Sequence, residues 1–364
     1  MSAATADVAI IGGGIVGAAC AQALASEKVR VALIEAGDVA AGATAAGMGH
    51  IVAMDDSEAQ FALTSYSAKL WALLRPSLPA SAEYEACGTL WIAADGEEME
   101  AVRSKHAFYT ARGVRAEILN EVALREAEPE LRAGLAGALL SPGDSVIYAP
   151  CAAHWLAEQA RAQGAWIRQG VEAISVHPGM VKLNDGSTLT AGAVVVAVGT
   201  GSARLIPGLP VRARMGNLAI TDRYPGFVRH QLIELGYLKS AHGHANESVA
   251  FNLQPRSTGQ VLIGSSRQYD DGPALLAPML RRAFEYMPRL ADLSVIRTWT
   301  GLRAATPDSL PIIGPMAGLW IATGHEGLGI TTSLGTAQLI ADQLLGRSTA
   351  IPAAPYLPAR FAAI

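Results

Sequence analysis

The stretch IIGGGIVGAAC at residues 10–20, followed by VALIEAG at residues 31–37, decides the fold of this protein. The apolar run before Gly12 predicts a short buried strand, the alanine-rich run after Gly14 predicts a helix, and VALIE predicts the next parallel strand. Glycines at 12, 14 and 17 therefore lie in the strand–turn–helix context in which this spacing binds a dinucleotide.

Each position of this turn has a physical role in nucleotide binding. Gly12 permits the tight turn, Gly14 lets a pyrophosphate approach the N–H groups at the helix N-terminus, and Gly17 lets helix and strand touch. Glu35, at the end of the second strand, can accept hydrogen bonds from a ribose diol. Because its carboxylate repels a 2′-phosphate, the pattern disfavours NADP and leaves FAD and NAD open.

Further runs of small residues favour FAD over NAD. The segment AGATAAGMGHI at 41–51 lets the backbone pass close to a pyrophosphate and an isoalloxazine, which an NAD enzyme does not need. Residues 191–202 predict a buried strand that returns to the nucleotide domain, and residues 318–346 predict a strand, a glycine-rich turn and a long helix. The N-terminus of that helix could stabilise negative charge on a reduced flavin.

The composition excludes several other classes of protein. A formal charge of −4, a pI near 6.1 and scattered basic residues give no reason to expect nucleic acid as a partner. Three cysteines lie far apart, so we expect no iron–sulfur cluster, zinc site or disulfide framework, and we predict no metal. No apolar run predicts a transmembrane segment and no basic leader opens the chain, which suggests a cytoplasmic protein and leaves peripheral membrane contact open.

Motifs along most of the chain resemble the FAD-dependent D-amino-acid oxidase superfamily. They are IIGGGIVG, VALIEAG, ATAAGMG, VVVAVG, TGLRAATPDSLPIIG and TGHEGLGIT, which recur between residue 7 and about residue 346. Within that superfamily the chain is most similar to the branch of glycine oxidases and D-amino-acid dehydrogenases. The segments VAFNLQPRSTGQVLIGSSRQ and TGHEGLGITTSLG resemble, more narrowly, the catalytic β subunit of heteromeric D-hydroxyproline dehydrogenases.

The resemblance implies an FAD-dependent oxidation of a small D- or secondary amino acid, such as D-hydroxyproline, D-proline or sarcosine. A hydride passes from the substrate carbon to flavin N5, which gives an imine. The resemblance also implies a hetero-oligomer, whose companion subunits carry further redox centres such as a second flavin or a [2Fe–2S] cluster. Two alternatives stay open: an oxygen-using glycine, sarcosine or D-amino-acid oxidase, and a non-catalytic FAD-binding subunit of an electron-transfer complex.

The predicted fold class is α/β, with two domains that the chain visits more than once. A Rossmann-type FAD-binding domain with a parallel sheet takes residues 1–78, 145–208 and 300–347. An α+β substrate-binding domain with a mainly antiparallel sheet takes residues 79–144 and 209–299, and residues 348–364 form a C-terminal tail.

Candidate substrate-binding residues follow from the motifs and from the resemblance. Arg303 in TGLRAATP matches a carboxylate-binding arginine of the family, and a guanidinium suits that role because it binds both carboxylate oxygens. A structural pairing of Arg303 with an acid such as Asp308 is the competing interpretation. His325 and Glu326 lie in the turn expected near the flavin, where glycine oxidases carry a second arginine in place of Gly327, a departure that argues against glycine as the substrate.

Three further residues are weaker candidates for the pocket. Asn252 occupies the place of a substrate-contacting tyrosine of glycine oxidases, Arg267 replaces an apolar residue there, and His50 lies where the chain could approach the flavin ring. Together with the residues already described, we predict as cofactor-binding positions Gly12, Gly14, Ile15, Val16, Gly17, Glu35, Ala36, Thr44, Ala46, Gly47, Met48, Val171, Gly199, Gly324, His325, Gly327, Leu328, Gly329, Ile330 and Thr331.

Overall fold

The computed structural model describes residues 4–236, 247–269 and 275–361. The chain divides into two compact units. Unit 1 comprises Met1–Ala82, Tyr148–Ala213 and Leu302–Ile364, and unit 2 comprises Glu83–Ile147 and Arg214–Gly301. The chain therefore crosses from one unit to the other within strands as well as within loops.

The secondary structure alternates throughout the chain. The strands are β1 (Ala4–Ile11), β2 (Val31–Ile34), β3 (His50–Ile51), β4 (Thr89–Ala93), β5 (Glu117–Asn120), β6 (Gly137–Ser141), β7 (Ser145–Val146), β8 (Trp166–Arg168), β9 (Ala173–His177), β10 (Met180–Leu183), β11 (Thr188–Val196), β12 (Arg212–Thr221), β13 (Gln231–Glu234), β14 (Glu247–Pro255), β15 (Val261–Gln268), β16 (Val295–Ala305), β17 (Ile312–Met316) and β18 (Leu319–Thr323). The helices are α1 (Ile15–Ser26), α2 (Ala43–Ala46), α3 (Glu58–Leu74), α4 (Gly96–Ala111), α5 (Glu121–Ala127), α6 (Ala149–Ala162), α7 (Ser202–Leu205), α8 (Leu276–Tyr286) and α9 (Gly329–Leu344).

Unit 1 is built on a sheet in the order β17-β18-β11-β1-β2-β8, with β10 and β9 added at β11. The pairs β18–β11, β11–β1, β1–β2 and β2–β8 are parallel. The four residues of β2 are all buried, as expected for a parallel strand covered on both faces. Because these strands run in the same direction, the carboxyl ends of β18, β11, β1 and β2 lie at one edge of the sheet.

Helices pack closely in unit 1 because small residues line their contacts. Helix α1 packs against α6 and α9, and its residues Ala18, Ala19 and Ala21 are almost completely buried. Helix α3 packs against α9, where a Cβ on Gly335 would lie 2.5 Å from Ser67 Oγ. The Gly335 N–H donates to that hydroxyl at 2.7 Å, so the backbone of α9 is in direct contact with a side chain of α3.

Residues 348–361, which the sequence alone separates as a tail, belong to unit 1. Tyr356 is buried, and its hydroxyl donates to the carbonyl of Ala59 at 2.6 Å. The Arg360 guanidinium donates to both carboxylate oxygens of Asp308 and to the carbonyl of Leu310. The segment is rich in proline and lacks helical or strand periodicity, which explains why its packing could not be predicted from the sequence.

Unit 2 contains a sheet in the order β16-β12-β15-β14-β13-β4-β6-β5. The pairs β12–β15, β14–β15, β13–β14, β4–β6 and β5–β6 are antiparallel, whereas β13 pairs with β4 in parallel. One face packs against α8 around a stacked pair, Phe251 and Tyr286, whose ring centroids lie 4.6 Å apart. The two sheets confirm the predicted fold class, one mostly parallel and the other mostly antiparallel.

Candidate functional site

The turn between β1 and α1 can be formed only with glycine at two positions. Gly12 has a φ of +105°, and a Cβ there would lie 2.5 Å from the carbonyl oxygen of Ala197. A Cβ on Gly17 would lie 1.8 Å from the carbonyl oxygen of Gly12. The first turn of α1 is therefore in backbone contact with the end of β1, as the sequence spacing predicts.

The N-terminus of α1 is prepared for an anion. Gly14 is the N-cap residue and has no side chain to cap the helix, so the hydroxyl of Thr44 accepts a hydrogen bond from the N–H of Ile15 at 3.0 Å. Thr44 is 6% exposed, and a Cβ on Gly14 would lie 3.2 Å from its Oγ1. The partial positive charge at the start of a 12-residue helix favours a pyrophosphate at this place.

The carboxylate of Glu35 is held in position at the end of β2. Its Oε2 accepts a hydrogen bond from the N–H of Gly13 at 2.6 Å, and its Oε1 accepts one from the N–H of Gly37 at 2.8 Å. The backbone of Glu35 is fixed as well, because its carbonyl accepts a hydrogen bond from Val171 N–H at 3.1 Å. Each carboxylate oxygen has further lone pairs, so Glu35 can still accept the hydroxyls of a ribose.

Two bends from opposite ends of the chain meet in unit 1. The Thr331 hydroxyl donates to the His50 carbonyl at 2.8 Å, and the Trp71 indole N–H donates to the Ile330 carbonyl at 3.2 Å. A Cβ on Gly47 would lie 2.8 Å from Cδ1 of Ile330. The glycine-lined segment after α2 thus lies directly against the first turn of α9.

His50 has a buried nitrogen at this meeting point. Its Nε2 atom has no hydrogen-bond partner among the residues that the structure describes. Burial lowers the pKa of His50 to about 3, so the imidazole is neutral at physiological pH. A buried imidazole nitrogen of this kind needs a partner, and the polar edge of a flavin ring would supply one.

The turn after β18 is tied to the end of β11. The Thr323 hydroxyl donates to the Gly199 carbonyl and accepts from the Ser202 hydroxyl, both at 3.0 Å. Gly324 follows with a φ of +79°, and a Cβ there would lie 2.5 Å from Cγ2 of Thr306. Glu326 also has a positive φ, +47°, which is costly for a residue with a side chain and is a frequent feature of ligand sites.

His325 has a structural partner in this turn. Its Nε2 lies 3.0 Å from the Thr336 hydroxyl on α9, and the residue is 8% exposed. Burial lowers the pKa of His325 to about 4, so the ring is neutral at physiological pH. The hydrogen bond fixes the ring on α9, and in this position His325 orients the turn.

The structure gathers the predicted cofactor residues at the carboxyl edge of the parallel sheet of unit 1. They follow β1 (Gly12, Gly14, Ile15, Val16, Gly17), β2 (Glu35, Ala36), β11 (Gly199) and β18 (Gly324, His325, Gly327), or lie in and after α2 (Thr44, Ala46, Gly47, Met48), before β9 (Val171) and at the start of α9 (Leu328, Gly329, Ile330, Thr331). This edge is where open parallel sheets bind nucleotides.

The predicted substrate residues divide between the units. Arg303 is half-buried on β16, three residues before Thr306, which contacts the Gly324 turn. Asp308, the acid proposed as a structural partner of Arg303, is bound by Arg360. Asn252 on β14 and Arg267 on β15 belong to unit 2.

Sequence reasoning missed several residues that shape the site. Thr306, Thr323 and Ser202 fix the turn at the end of β18, and Trp71 fixes the start of α9. Small hydroxyl residues next to glycine in strand-to-helix turns are a weak signal for such contacts. Nothing in the local sequence connects Trp71 with Ile330, because 259 residues separate them.

The site defines a dinucleotide-binding flavoprotein. It combines a glycine turn at a helix N-terminus, an acid at the end of the second strand and a second glycine-lined bend beside a buried imidazole. The chain belongs to the FAD dependent oxidoreductase family (DAO), whose sequence pattern matches residues 7–343. FAD is therefore its cofactor, and of the two nucleotides that the first turn left open NAD is set aside. The cradle at Gly12 and Gly47, the Glu35 carboxylate and the His50 nitrogen all fit that cofactor.

Known proteins resemble the chain over nearly its whole length. A glycine oxidase of Geobacillus kaustophilus is 30% identical over 375 residues, which cover 96% of each chain. A crystal structure of glycine oxidase from Geobacillus kaustophilus covers 98% of this chain and 99% of its own, with a TM-score of 0.87 and 28% identity. A D-amino acid dehydrogenase of Cereibacter sphaeroides is 29% identical (83% of this chain, 71% of its own), and an opine oxidase subunit of Rhizobium meliloti is 26% identical (93% of each).

Two other kinds of site are absent from the described residues. Within residues 4–236, 247–269 and 275–361, no helix has the length and apolar character needed to cross a membrane. In the same ranges, no group of three or more histidine, cysteine and acidic side chains is arranged to hold a metal ion.

Proposed function

We propose that this protein is an FAD-dependent dehydrogenase of a small D- or secondary amino acid, of the D-hydroxyproline or D-proline type, which converts its substrate into an imine. The relatives support an amino acid as the substrate. One is a glycine oxidase and another a D-amino acid dehydrogenase, and both match most of this chain. Both names describe the oxidation of an amino acid, in which the carbon that carries the amine lies next to a carboxylate.

The position of Arg303 carries the proposal. This guanidinium lies on the strand that leads into the Thr306–Gly324 contact. An amino acid needs one fixed anchor for its carboxylate, and the planar fork of arginine binds both carboxylate oxygens. Arg303 in this role orients the substrate carbon relative to the cofactor edge of the sheet.

Bound FAD supplies the hydride acceptor of the reaction. The backbone N–H groups at the start of α1 would hold its pyrophosphate, Glu35 would bind its ribose, and the first turn of α9 with His50 would hold its ring. Because burial keeps His50 and His325 neutral, neither ring places a positive charge beside the substrate amine. A neutral imidazole does not protonate the substrate amine, which amino-acid oxidation requires in its deprotonated form.

The residue at position 327 argues against glycine itself as the substrate. The resembling glycine oxidases carry a second arginine where this chain has Gly327, which is exposed. One carboxylate contact is therefore absent, and Glu326 stands beside that position with a strained backbone. A carboxylate side chain can bind a ring hydroxyl or a secondary ammonium, which suits a cyclic secondary amino acid.

Companion subunits are part of the proposal. The opine oxidase relative is, by its name, one subunit of a complex, and it resembles 93% of this chain. We propose that electrons leave this chain through a partner subunit that carries a further redox centre. Stopped-flow reoxidation of the reduced protein separates the alternatives: slow reaction with oxygen supports a dehydrogenase, and fast reaction supports an oxidase.

An anaerobic spectral titration tests the proposed activity. Purified holoprotein is mixed without oxygen with a panel that includes both hydroxyproline epimers, D- and L-proline, sarcosine, glycine and D-alanine. We expect the visible flavin absorbance to bleach with a D- or secondary amino acid and to remain with glycine. If no member of the panel bleaches a fully loaded flavin, the protein is a non-catalytic FAD-binding subunit.

A further inference from the structure

One edge of the sheet of unit 2 is open. The sheet ends at β16, whose only neighbour among the strands that the structure describes is β12. The opposite edge, β5, has four residues, and α4 and α5 pack against it. An edge strand is a template for pairing with another chain, and proteins usually prevent this by shortening or covering the edge. The edge at β5 is short and covered, whereas the edge at β16 belongs to a strand of 11 residues.

Residues 295–302 of β16, which we call the open segment, are exposed on both faces of the strand. Side chains alternate between the two faces. Val295 on one face is 42% exposed, and Ile296 and Leu302 on the other face are 57% and 49% exposed. The sequence VIRTWTGL contains no proline and one charged residue, although proline and charges are what usually keep edge strands apart. The open segment is therefore suited to pairing with a further strand.

The backbone of β16 fixes which residues would face that strand. Ser294 directs both backbone groups toward the chain that continues from β12, since its N–H donates to the Tyr224 hydroxyl at 3.0 Å and its carbonyl accepts from the Asp222 N–H at 2.8 Å. In an antiparallel sheet, the backbone groups of successive residues point to opposite sides of the strand. The odd-numbered residues of the open segment, among them Val295 and Arg297, therefore direct their N–H and C=O groups to the open edge.

The open segment is complementary to a second copy of itself. When two copies lie antiparallel with Trp299 on the two-fold axis, Ile296 of each copy lies opposite Leu302 of the other. In the same register Thr298 lies opposite Thr300. Apolar pairs and Thr–Thr pairs that lie directly opposite each other stabilise antiparallel strands. Each of the two pairs occurs twice, because the two-fold axis repeats it.

The positions of the charges favour this register over its neighbours. Arg297 lies opposite Gly301 of the copy, where no side chain competes for the space. A shift by two residues in one direction would place Arg297 opposite Arg303, and like charges directly opposite are destabilising. The same shift in the other direction would place Ile296 opposite Thr300, so that both apolar pairs would be lost.

We propose that the open segment is the interface of a homodimer, in which two copies of this chain pair antiparallel through β16. Such an interface is isologous, since each copy contributes the same surface, and it joins the sheets of the two copies into one. The proposal does not depend on the proposed function, because it concerns the association of folded chains. A standard stable interface buries about 1,600 Å² and one pair of strands covers less, so we expect a reversible dimer of micromolar affinity.

Sedimentation equilibrium of the purified holoprotein across the micromolar range tests the dimer. We expect wild type to change from monomer to dimer as its concentration rises. Ile296→Lys removes both apolar pairs and should weaken dimerisation by roughly tenfold. Ile118→Lys is the matched control, because Ile118 is 42% exposed on β5, at the other edge of the same sheet. This control should dimerise as wild type does.

A mixture of two variants tests the register. Leu302→Glu alone should weaken the homodimer as Ile296→Lys does. When Ile296→Lys and Leu302→Glu are mixed, the introduced lysine of one chain lies opposite the introduced glutamate of the other, and the second Ile–Leu pair is restored. We expect the mixture to associate as tightly as wild type. The melting temperature of each variant, measured where wild type is monomeric, should match that of wild type, because both positions are exposed.

Three outcomes would overturn the proposal. Wild type that stays monomeric over the whole concentration range would leave the open segment to a strand of a different chain. Ile296→Lys that dimerises as tightly as wild type, or Ile118→Lys that dimerises as weakly as Ile296→Lys, would place the contact elsewhere. A mixture that associates no better than either variant alone would exclude this register. None of these outcomes depends on whether the protein oxidises an amino acid.

Discussion

Replacing Gly17 by alanine tests the contact on which the nucleotide turn depends. The added Cβ would lie 1.8 Å from the Gly12 carbonyl oxygen, and Cβ atoms essentially never approach closer than 3.0 Å, so α1 and the end of β1 must separate by at least 1.2 Å. Both groups belong to the backbone or are fixed to it, so no side chain can rotate to relieve the overlap. The helix itself has to move.

We expect a large loss of stability from that movement. Overpacking of a buried contact costs about 1–3 kcal/mol, and this rigid contact belongs at the upper end, near 3 kcal/mol. For a chain of this size such a loss lowers the melting temperature by roughly 4 °C. FAD affinity should fall at least tenfold as well, because hydrogen bonds from the N-terminus of α1 to a charged group are worth about 1.5–3 kcal/mol each.

The assay is a thermal melt together with the flavin-to-protein absorbance ratio of the purified protein. Gly96→Ala is the matched control, since Gly96 opens α4 and a Cβ there would meet nothing within 4 Å. That control should gain about 0.5–1 kcal/mol from the alanine. A Gly17→Ala protein that melts with wild type and purifies with a full complement of FAD would refute the reasoning.

Three further substitutions test individual residues of the site. Arg303→Leu should raise KM for the amino acid by about two orders of magnitude, because the carboxylate loses roughly 3 kcal/mol of charged hydrogen bonding, while the FAD content stays unchanged. Arg297→Leu, which replaces an exposed arginine on the same strand, should leave KM unchanged. Equal KM values in the two variants would show that Arg303 does not anchor the carboxylate. Thr44→Val should lower the stability of the flavin-free protein by about 1 kcal/mol, because the Ile15 N–H loses its acceptor. The loss should be smaller in the FAD-bound protein, where the pyrophosphate would accept from that N–H instead. Thermal melts of both forms measure the difference, and an equal loss in both would contradict the prediction. Burial lowers the pKa of His325 to about 4, below its value near 6.5 in the unfolded chain, so between these pH values the unfolded chain binds a proton that the folded protein does not, and stability falls as pH falls. His325→Gln should therefore flatten the pH dependence of the melting temperature in this window. An unchanged slope would contradict the shift.

The geometry of the glycine turn was predictable from the sequence because its parts are local. Gly12, Gly14 and Gly17 set the turn, Glu35 ends the next strand, and each pattern fits within one strand–turn–helix segment. The direction of parallel strands then brings the ends of β1, β2, β11 and β18 to one edge of the sheet without further information. The meeting of the 47–50 bend with Ile330 and Thr331 follows from that topology.

Contacts that depend on long-range register could not be predicted. The parallel pairing of β13 with β4 brings Gln231 to Thr89, although 142 residues separate them along the chain. The alternation of polar and apolar residues in AFNLQP does show that Asn252 and Gln254 share one face, but not which residues join them. The Arg360–Asp308 pair and the Thr336 partner of His325 are hidden for the same reason.

The interleaved path of unit 1 determines when the protein can acquire its coenzyme during synthesis. The Rossmann turn leaves the ribosome early, but β18 and α9, which complete the sheet edge and lie against the 47–50 bend, are made only after all of unit 2. A nascent chain therefore presents half of a flavin cradle for most of its translation, and incorporation of the flavin waits for nearly the whole polypeptide. A chain truncated before α9 would lack the helix N-terminus that lies against the 47–50 bend.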